Sequence, residues 1–306
     1  MRTIHLLVAA LTLCGVVVTA AYSSVAMPDS PGALKAATPA AVIDPTRLPL
    51  GDGKLSVTEP RIGYVFSCTI PRSNNSPGKA PWISADKLTW DSTAKATVSG
   101  AVLWVSEFSI SLSNGIRSLS GNGLPNHDTG TFPIARSDPA HAFDANPNAI
   151  RAVAVAWGLP ANPSIAAEPG CTGLGAIGIL LNGVRLFNAL DADGRDAVAH
   201  EVQDACGGHP QRIGAYHYHD LTKCLAQNDQ PGSHSPLVGY IADGFGLYGN
   251  LGEGGKPLSN ADLDACHGHT HELMVDGARV TQYHYHTTRE YPYTIGCFAG
   301  KPARMR

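Results

Sequence analysis

Tyr216-His217-Tyr218-His219 is written a second time as Tyr283-His284-Tyr285-His286, and each copy sits inside a longer echo. Asp204-Ala205-Cys206-Gly207-Gly208-His209 precedes the first copy; Asp264-Ala265-Cys266-His267-Gly268-His269 precedes the second. Cys224 and Cys297 close the two units. Further back, Asn182-Gly183 followed by Leu186-Phe187 is matched by Asp243-Gly244 followed by Leu247-Tyr248. Ordered landmarks of this kind mark a diverged tandem duplication over residues 177–224 and 238–297.

Each unit opens with a hairpin signal. Ile177–Leu181, Asn182-Gly183 and Val184–Phe187 read as strand, tight turn and strand, and Val238–Ala242, Asp243-Gly244 and Phe245–Tyr248 repeat the reading. Asn-Gly and Asp-Gly suit the turn because both central residues of a type I′ turn need positive φ. Elsewhere Ile62, Tyr64 and Phe66 alternate, as do Phe108, Ile110 and Leu112, and Val153, Val155 and Trp157, the two-residue period of half-buried strands. Helical signal is confined to Arg195–Val202 and to one turn capped by Ser259 and running to Asp264. The pattern predicts a mainly β, sandwich-like domain over residues 55–302, with little helix, in which the two hairpin-plus-tetrapeptide units pack together.

Residues 1–26 read as a signal peptide: Arg2, then an apolar run from Ile4 to Ala21 that ends in small residues. Residues 27–54, rich in Ala, Pro, Ser and Gly, read as a linker. No later stretch is apolar enough to span a membrane, so a secreted or periplasmic location is expected. Export leaves Cys68, Cys171, Cys206, Cys224, Cys266 and Cys297, an even number in an oxidising compartment. Equivalent use of equivalent cysteines favours Cys206–Cys224 with Cys266–Cys297 and Cys68–Cys171. Pairing across the units, Cys206–Cys266 with Cys224–Cys297, respects the same symmetry. A net charge of -3 without a Lys/Arg cluster argues against a nucleic-acid partner.

Ten of the 13 histidines fall between residues 200 and 286, which makes that region the candidate site. In a strand, His217 and His219 share one face and Tyr216 and Tyr218 the other; His284 and His286 repeat the arrangement. Four imidazoles would converge if the units pack as a pseudo-symmetric pair, joined by His209 and His269. Imidazole suits copper and zinc. His217, His219, His284, His286, His209 and His269 are therefore the candidate ligands of a copper or zinc ion, with Asp204 and Asp264 either orienting them from behind or capping a local turn. The run from His267 to His271 adds ligands to the second unit alone. Ligation needs neutral imidazole, so the metal is expected to leave below about pH 6.

Two other readings stay open: a structural or adhesive envelope module with a buried His/Tyr layer, and a metal-free secreted hydrolase using a histidine–aspartate base. An open coordination position would support metal-dependent catalysis, but no pattern names a reaction. Asn126-His127-Asp128 reads as a surface turn, and His141, His200 and His234, without repeat counterparts, as surface residues. There is no G-x-S-x-G elbow, H-E-x-x-H helix or phosphate-binding glycine loop.

The two tetrapeptides, Cys206-Gly207-Gly208-His209-Pro210, Asp243-Gly244-Phe245 and Tyr291-Pro292-Tyr293-Thr294-Ile295-Gly296-Cys297-Phe298 together resemble the YHYH-domain family, as does Asn122-Gly123-Leu124-Pro125-Asn126-His127. The resemblance covers roughly residues 120–300. It implies an exported domain and assigns no reaction.

Overall fold

The computed structural model describes residues 44–73, 79–225 and 229–304; the expected signal peptide and the linker as far as residue 43 lie outside them. Among the described residues the chain is mainly β. Helix is limited to one α turn, Ala197–His200, and three short 3-10 turns. Both helical expectations contract. Asp196 caps the α turn by accepting from the Ala199 N–H, and Ser259 and Asp262 form a capping box around Asn260–Asp262.

The duplicated units supply all eight strands of the largest sheet. In chain order they are β1 (Ala176–Leu180), β2 (Arg185–Phe187), β3 (Gly208–Pro210), β4 (Tyr216–Tyr218), β5 (Leu237–Ile241), β6 (Gly246–Tyr248), β7 (Gly268–Val275) and β8 (Ala278–His286). Their spatial order is β3-β4-β2-β1-β5-β6-β8-β7. Each unit is the same four-stranded ribbon read outward from the middle. The hairpins close with the Gly183 and Gly244 N–H groups on the Leu180 and Ile241 carbonyls. Only the glycine of each pair is at positive φ; Asn182 and Asp243 are not, so the turns differ from the expected type I′. Registers repeat as well: Leu186 lies beside Tyr218 as Leu247 lies beside Tyr285 in parallel pairs, and His209 opposes His217 as His269 opposes His284. The units join where β1 meets β5, Gly178 opposite Ile241 and Leu180 opposite Gly239.

The two units pack together at that junction. They extend one sheet edge to edge, because the unpaired backbone groups of β1 and β5 satisfy each other and leave no hairpin edge open there. A separate three-stranded sheet, Phe108–Ser113, Ile116–Gly121 and Val155–Pro160, covers part of it. Leu119, Val155, Trp157 and Leu159 share a core with Ile177, Leu186, Leu247 and all four tyrosines of the tetrapeptides. A second core gathers Leu48, Leu50, Trp82, Trp90, Val98 and Tyr291. Packed chain therefore begins ahead of the expected linker end: Leu48–Pro49 pairs with Thr89–Trp90, and Leu48 and Leu50 are buried.

Disulfides join Cys68 to Cys171, Cys206 to Cys224 and Cys266 to Cys297, the within-unit pairing. A bridge spanning 18 residues, as in Cys206–Cys224, is worth about 3 kcal/mol in the chain-entropy model. No helix among the described residues is long and apolar enough to cross a membrane.

One glycine in each unit has a packing reason. A Cβ on Gly208 would lie 2.2 Å from Tyr216 Cζ, and one on Gly268 would lie 2.4 Å from the Tyr283 hydroxyl. Gly208→Ala and Gly268→Ala should each lower stability by roughly 1–3 kcal/mol, the usual cost of overpacking. Denaturant unfolding measures this; unchanged midpoints would show that the glycine–tyrosine contact is not tight.

Candidate metal centres

The tetrapeptides sort by strand pleat. Tyr216, Tyr218, Tyr283 and Tyr285 enter the core, and the intervening histidines take the opposite face. The tyrosine hydroxyls are anchored alike in both units. Tyr216 donates to Asp204 at 2.8 Å and Tyr283 to Asp264 at 3.0 Å. The hairpin residues hold the second tyrosine of each copy: Asn182 donates to the Tyr218 hydroxyl, and Asp243 accepts from Tyr285. Asp204 and Asp264 also accept backbone N–H bonds from Cys206 and Gly208, and from Cys266 and Gly268. They bind turn amides and tyrosines, which corrects the expectation that they orient the histidines directly.

The imidazoles form two clusters, one on each flank of the sheet. His209, His217 and His219 make the first; His234, His269, His271, His284 and His286 make the second. Five strand steps separate β4 from β8, roughly 24 Å at ordinary strand spacing. The expected convergence of the four tetrapeptide histidines on one point is therefore overturned. Edge-to-edge joining carries the two ends of the doubled unit apart, and each copy builds its own centre.

Within each centre the rings are set by the main chain. His217 Nδ1 faces the Ala215 carbonyl at 3.2 Å and His219 Nδ1 the Asn188 carbonyl at 2.5 Å. Their counterparts do the same: His284 Nδ1 faces the Gln282 carbonyl at 3.1 Å and His286 Nδ1 the Gly249 carbonyl at 2.6 Å. A carbonyl only accepts, so Nδ1 carries the proton and Nε2 of the neutral ring presents a lone pair. His234 joins the same arrangement, with Nδ1 on the Ser235 carbonyl at 2.7 Å.

In the second centre the Nε2 atoms of His234, His284 and His286 stand 3.1–3.2 Å apart in all three pairings. Three lone pairs at that separation repel unless a cation sits among them. A zinc–imidazole bond of ~2.0–2.1 Å sets tetrahedral donors roughly 3.3 Å apart. Nε2 of His269 and of His271 is buried without a hydrogen-bond partner, and all five donors lie within 4.8 Å of one another. In the first centre Glu201, just past the α turn, places Oε2 3.2 Å from His209 Nε2 and 3.1 Å from His219 Nε2. None of these three atoms completes a hydrogen bond.

Three site residues escaped the sequence analysis in whole or in part. Glu201 and His234 have no repeat partner, and His271 entered only as part of a histidine run. Their counterparts are Ala261, Gly173 and Gln211, so the duplication that found the frame hid what completes it. His267 turns away, bonded through Nδ1 to the His286 carbonyl and through Nε2 to Asn260 and Thr288. His200 pairs with Asp52 at 2.9 Å, and His127 Nε2 reaches the Tyr218 hydroxyl at 2.5 Å. Neither is the free surface residue expected.

Burial dominates the electrostatics. It pushes His284 down to about 3 and His286 to about 2, with neighbouring imidazoles adding to the effect. Burial likewise holds His217 well below its ordinary value and lowers His234 and His269. In the first centre burial opposes charge on both Glu201 and His219, but facing partners outweigh it. The imidazoles of His209 and His219 hold Glu201 well below the carboxylate range, and the Glu201 carboxylate raises His219.

For His284 and His286 the unfolded chain takes up protons near pH 6.5, whereas the folded chain refuses them until about pH 3 and 2. Protons then bind the unfolded state preferentially, so stability falls as pH drops from about 6.5 toward 3. Metal-free protein should melt lower at pH 5 than at pH 7.5, and replacing His284 and His286 by Gln should shrink that difference. Thermal melts across this range test it, an unchanged slope counting against buried neutral rings.

The family model described as YHYH protein matches residues 156–256, which takes in the first unit and the hairpin of the second. No curated protein and no solved structure matches the chain. The matched segment holds the first tetrapeptide, its Cys206–Cys224 bridge and the hairpins on both sides of the β1–β5 junction. Over that region the chain is similar to the YHYH family, in agreement with the resemblance of its motifs.

Proposed function

We propose that this protein is an exported metal-binding protein that holds copper or zinc through the histidines of its duplicated motif. Two centres carry the ions. His209, His217 and His219 serve one; His284, His286 and His269, with His234 and His271, serve the other. The observation that carries the reading is the triangle of Nε2 atoms from His234, His284 and His286, 3.1–3.2 Å on each side. Each of the three rings has its Nδ1 on a backbone carbonyl. A buried histidine layer that only filled space would turn its ring nitrogens to hydrogen-bond partners. Here lone pairs face lone pairs, an arrangement that a divalent ion stabilises and that nothing else in the cluster satisfies. Three disulfides favour the export half of the proposal.

Full-length protein made in an oxidising compartment without a histidine tag should contain stoichiometric copper or zinc by elemental analysis. His284→Ala with His286→Ala should remove the ion of the second centre and leave the first, and each single variant should weaken binding at least tenfold. Protein that purifies metal-free and takes up neither ion in calorimetric titration would refute the proposal.

A further inference from the structure

The two centres share a three-histidine frame and differ in what completes it. In the first, the added group is the Glu201 carboxylate, with Oε2 3.1–3.2 Å from His209 Nε2 and His219 Nε2. In the second, the position equivalent to Glu201 is Ala261, and the added groups are His234 and His271. The carboxylate nearest that cluster, Glu253, is exposed and reaches only the outer nitrogen of His271, Nδ1, at 4.0 Å. Resting on the metal reading above, we infer that the centres take different ions: a zinc-class ion held by His209, His217, His219 and Glu201, and copper held by the imidazoles of His234, His269, His271, His284 and His286.

Donor chemistry and burial separate the two. Three imidazoles within 4.8 Å of one another, with a carboxylate oxygen beside two of them, offer N and O donors of the kind zinc takes in tetrahedral sites. The first centre is also closed. Its three histidines are buried, and the Glu201 side chain is 15% exposed. A dication in such surroundings needs an anionic partner to offset the lost hydration. Glu201 supplies one, and its unsatisfied Oε2 beside two unsatisfied Nε2 atoms marks where the ion belongs. The second centre offers five neutral nitrogen donors and no anion. Imidazole-only sets with more than four donors suit the tetragonal nitrogen coordination of copper, a preference of geometry and donor type. His234, His269 and His271 are only partly buried, so the outer side of this centre lies nearer solvent than the first, although the Nε2 donors of His269 and His271 are themselves buried.

Metal-free, full-length, untagged protein is exposed to an equimolar mixture of Zn2+ and Cu2+ and freed of excess by gel filtration. Metal content and the copper electron paramagnetic resonance spectrum are then recorded. Wild type should retain one zinc and one copper, the copper showing splitting from several nitrogens. Glu201→Gln should weaken zinc at least tenfold and leave the copper spectrum unchanged, which also certifies its fold. His234→Ala with His271→Ala should weaken copper at least tenfold and keep zinc. Zinc held equally well by Glu201→Gln, or copper filling both centres of the wild type, would overturn the division while leaving the metal reading intact. No metal in either centre would overturn both.

Discussion

The bond from Nδ1 of each tetrapeptide ring to a main-chain carbonyl is the constraint from which the rest of both centres follows. It decides the tautomer, fixes the ring plane and leaves Nε2 as the only nitrogen free to meet anything else. For His219 and His286 the carbonyl belongs to the residue just beyond the second hairpin strand, Asn188 in one unit and Gly249 in the other. Any slip between that strand and the tetrapeptide would lose both the bond and the aim. A one-residue shift would also send the histidines into the core and the tyrosines out. Register and chemistry are thus one requirement.

The tyrosines enforce that register from the other face. Asp204 and Asp264 each accept from a tyrosine hydroxyl and from two amides of the adjoining turn, so the turn, its disulfide and the tetrapeptide are locked together. The close approach of Gly208 to Tyr216 and of Gly268 to Tyr283 tightens the same contact. A stacked pair, Phe187 on His217 with ring centroids 4.0 Å apart, adds a further restraint in the first unit. Holding unprotonated lone pairs within 3.2 Å of each other opposes folding, and these tyrosine, carboxylate and disulfide anchors are what offset it.

Duplication produced two frames, and divergence gave them different endings. The frame is held by bonds to backbone atoms and to paired tyrosines, which tolerate change at other positions. Two of the added side chains come from segments outside the repeated strands, Glu201 from the end of the α turn and His234 from the loop before β5, and the third, His271, from β7, where the first unit has Gln211.

The sequence alone determined the repeat, the hairpins, the within-unit disulfides as the favoured pairing, and the division of histidine from tyrosine across the strand. Each is a local matter of turn chemistry, two-residue periodicity or symmetry between equivalent cysteines. Tertiary structure decided everything that depends on how far apart the units lie. Because β1 and β5 join edge to edge, the six expected ligands divide three and three instead of meeting. Glu201 and His234 entered for the same reason: each is brought to its ring cluster by the path of the chain between strands, which no pattern along the sequence encodes, whereas His271 follows His269 by two residues on one face of β7. The roles of Asp204 and Asp264 were likewise settled by direction, since a carboxylate two residues before a cysteine can face a turn or a ring, and only the packing of Tyr216 and Tyr283 against it chooses.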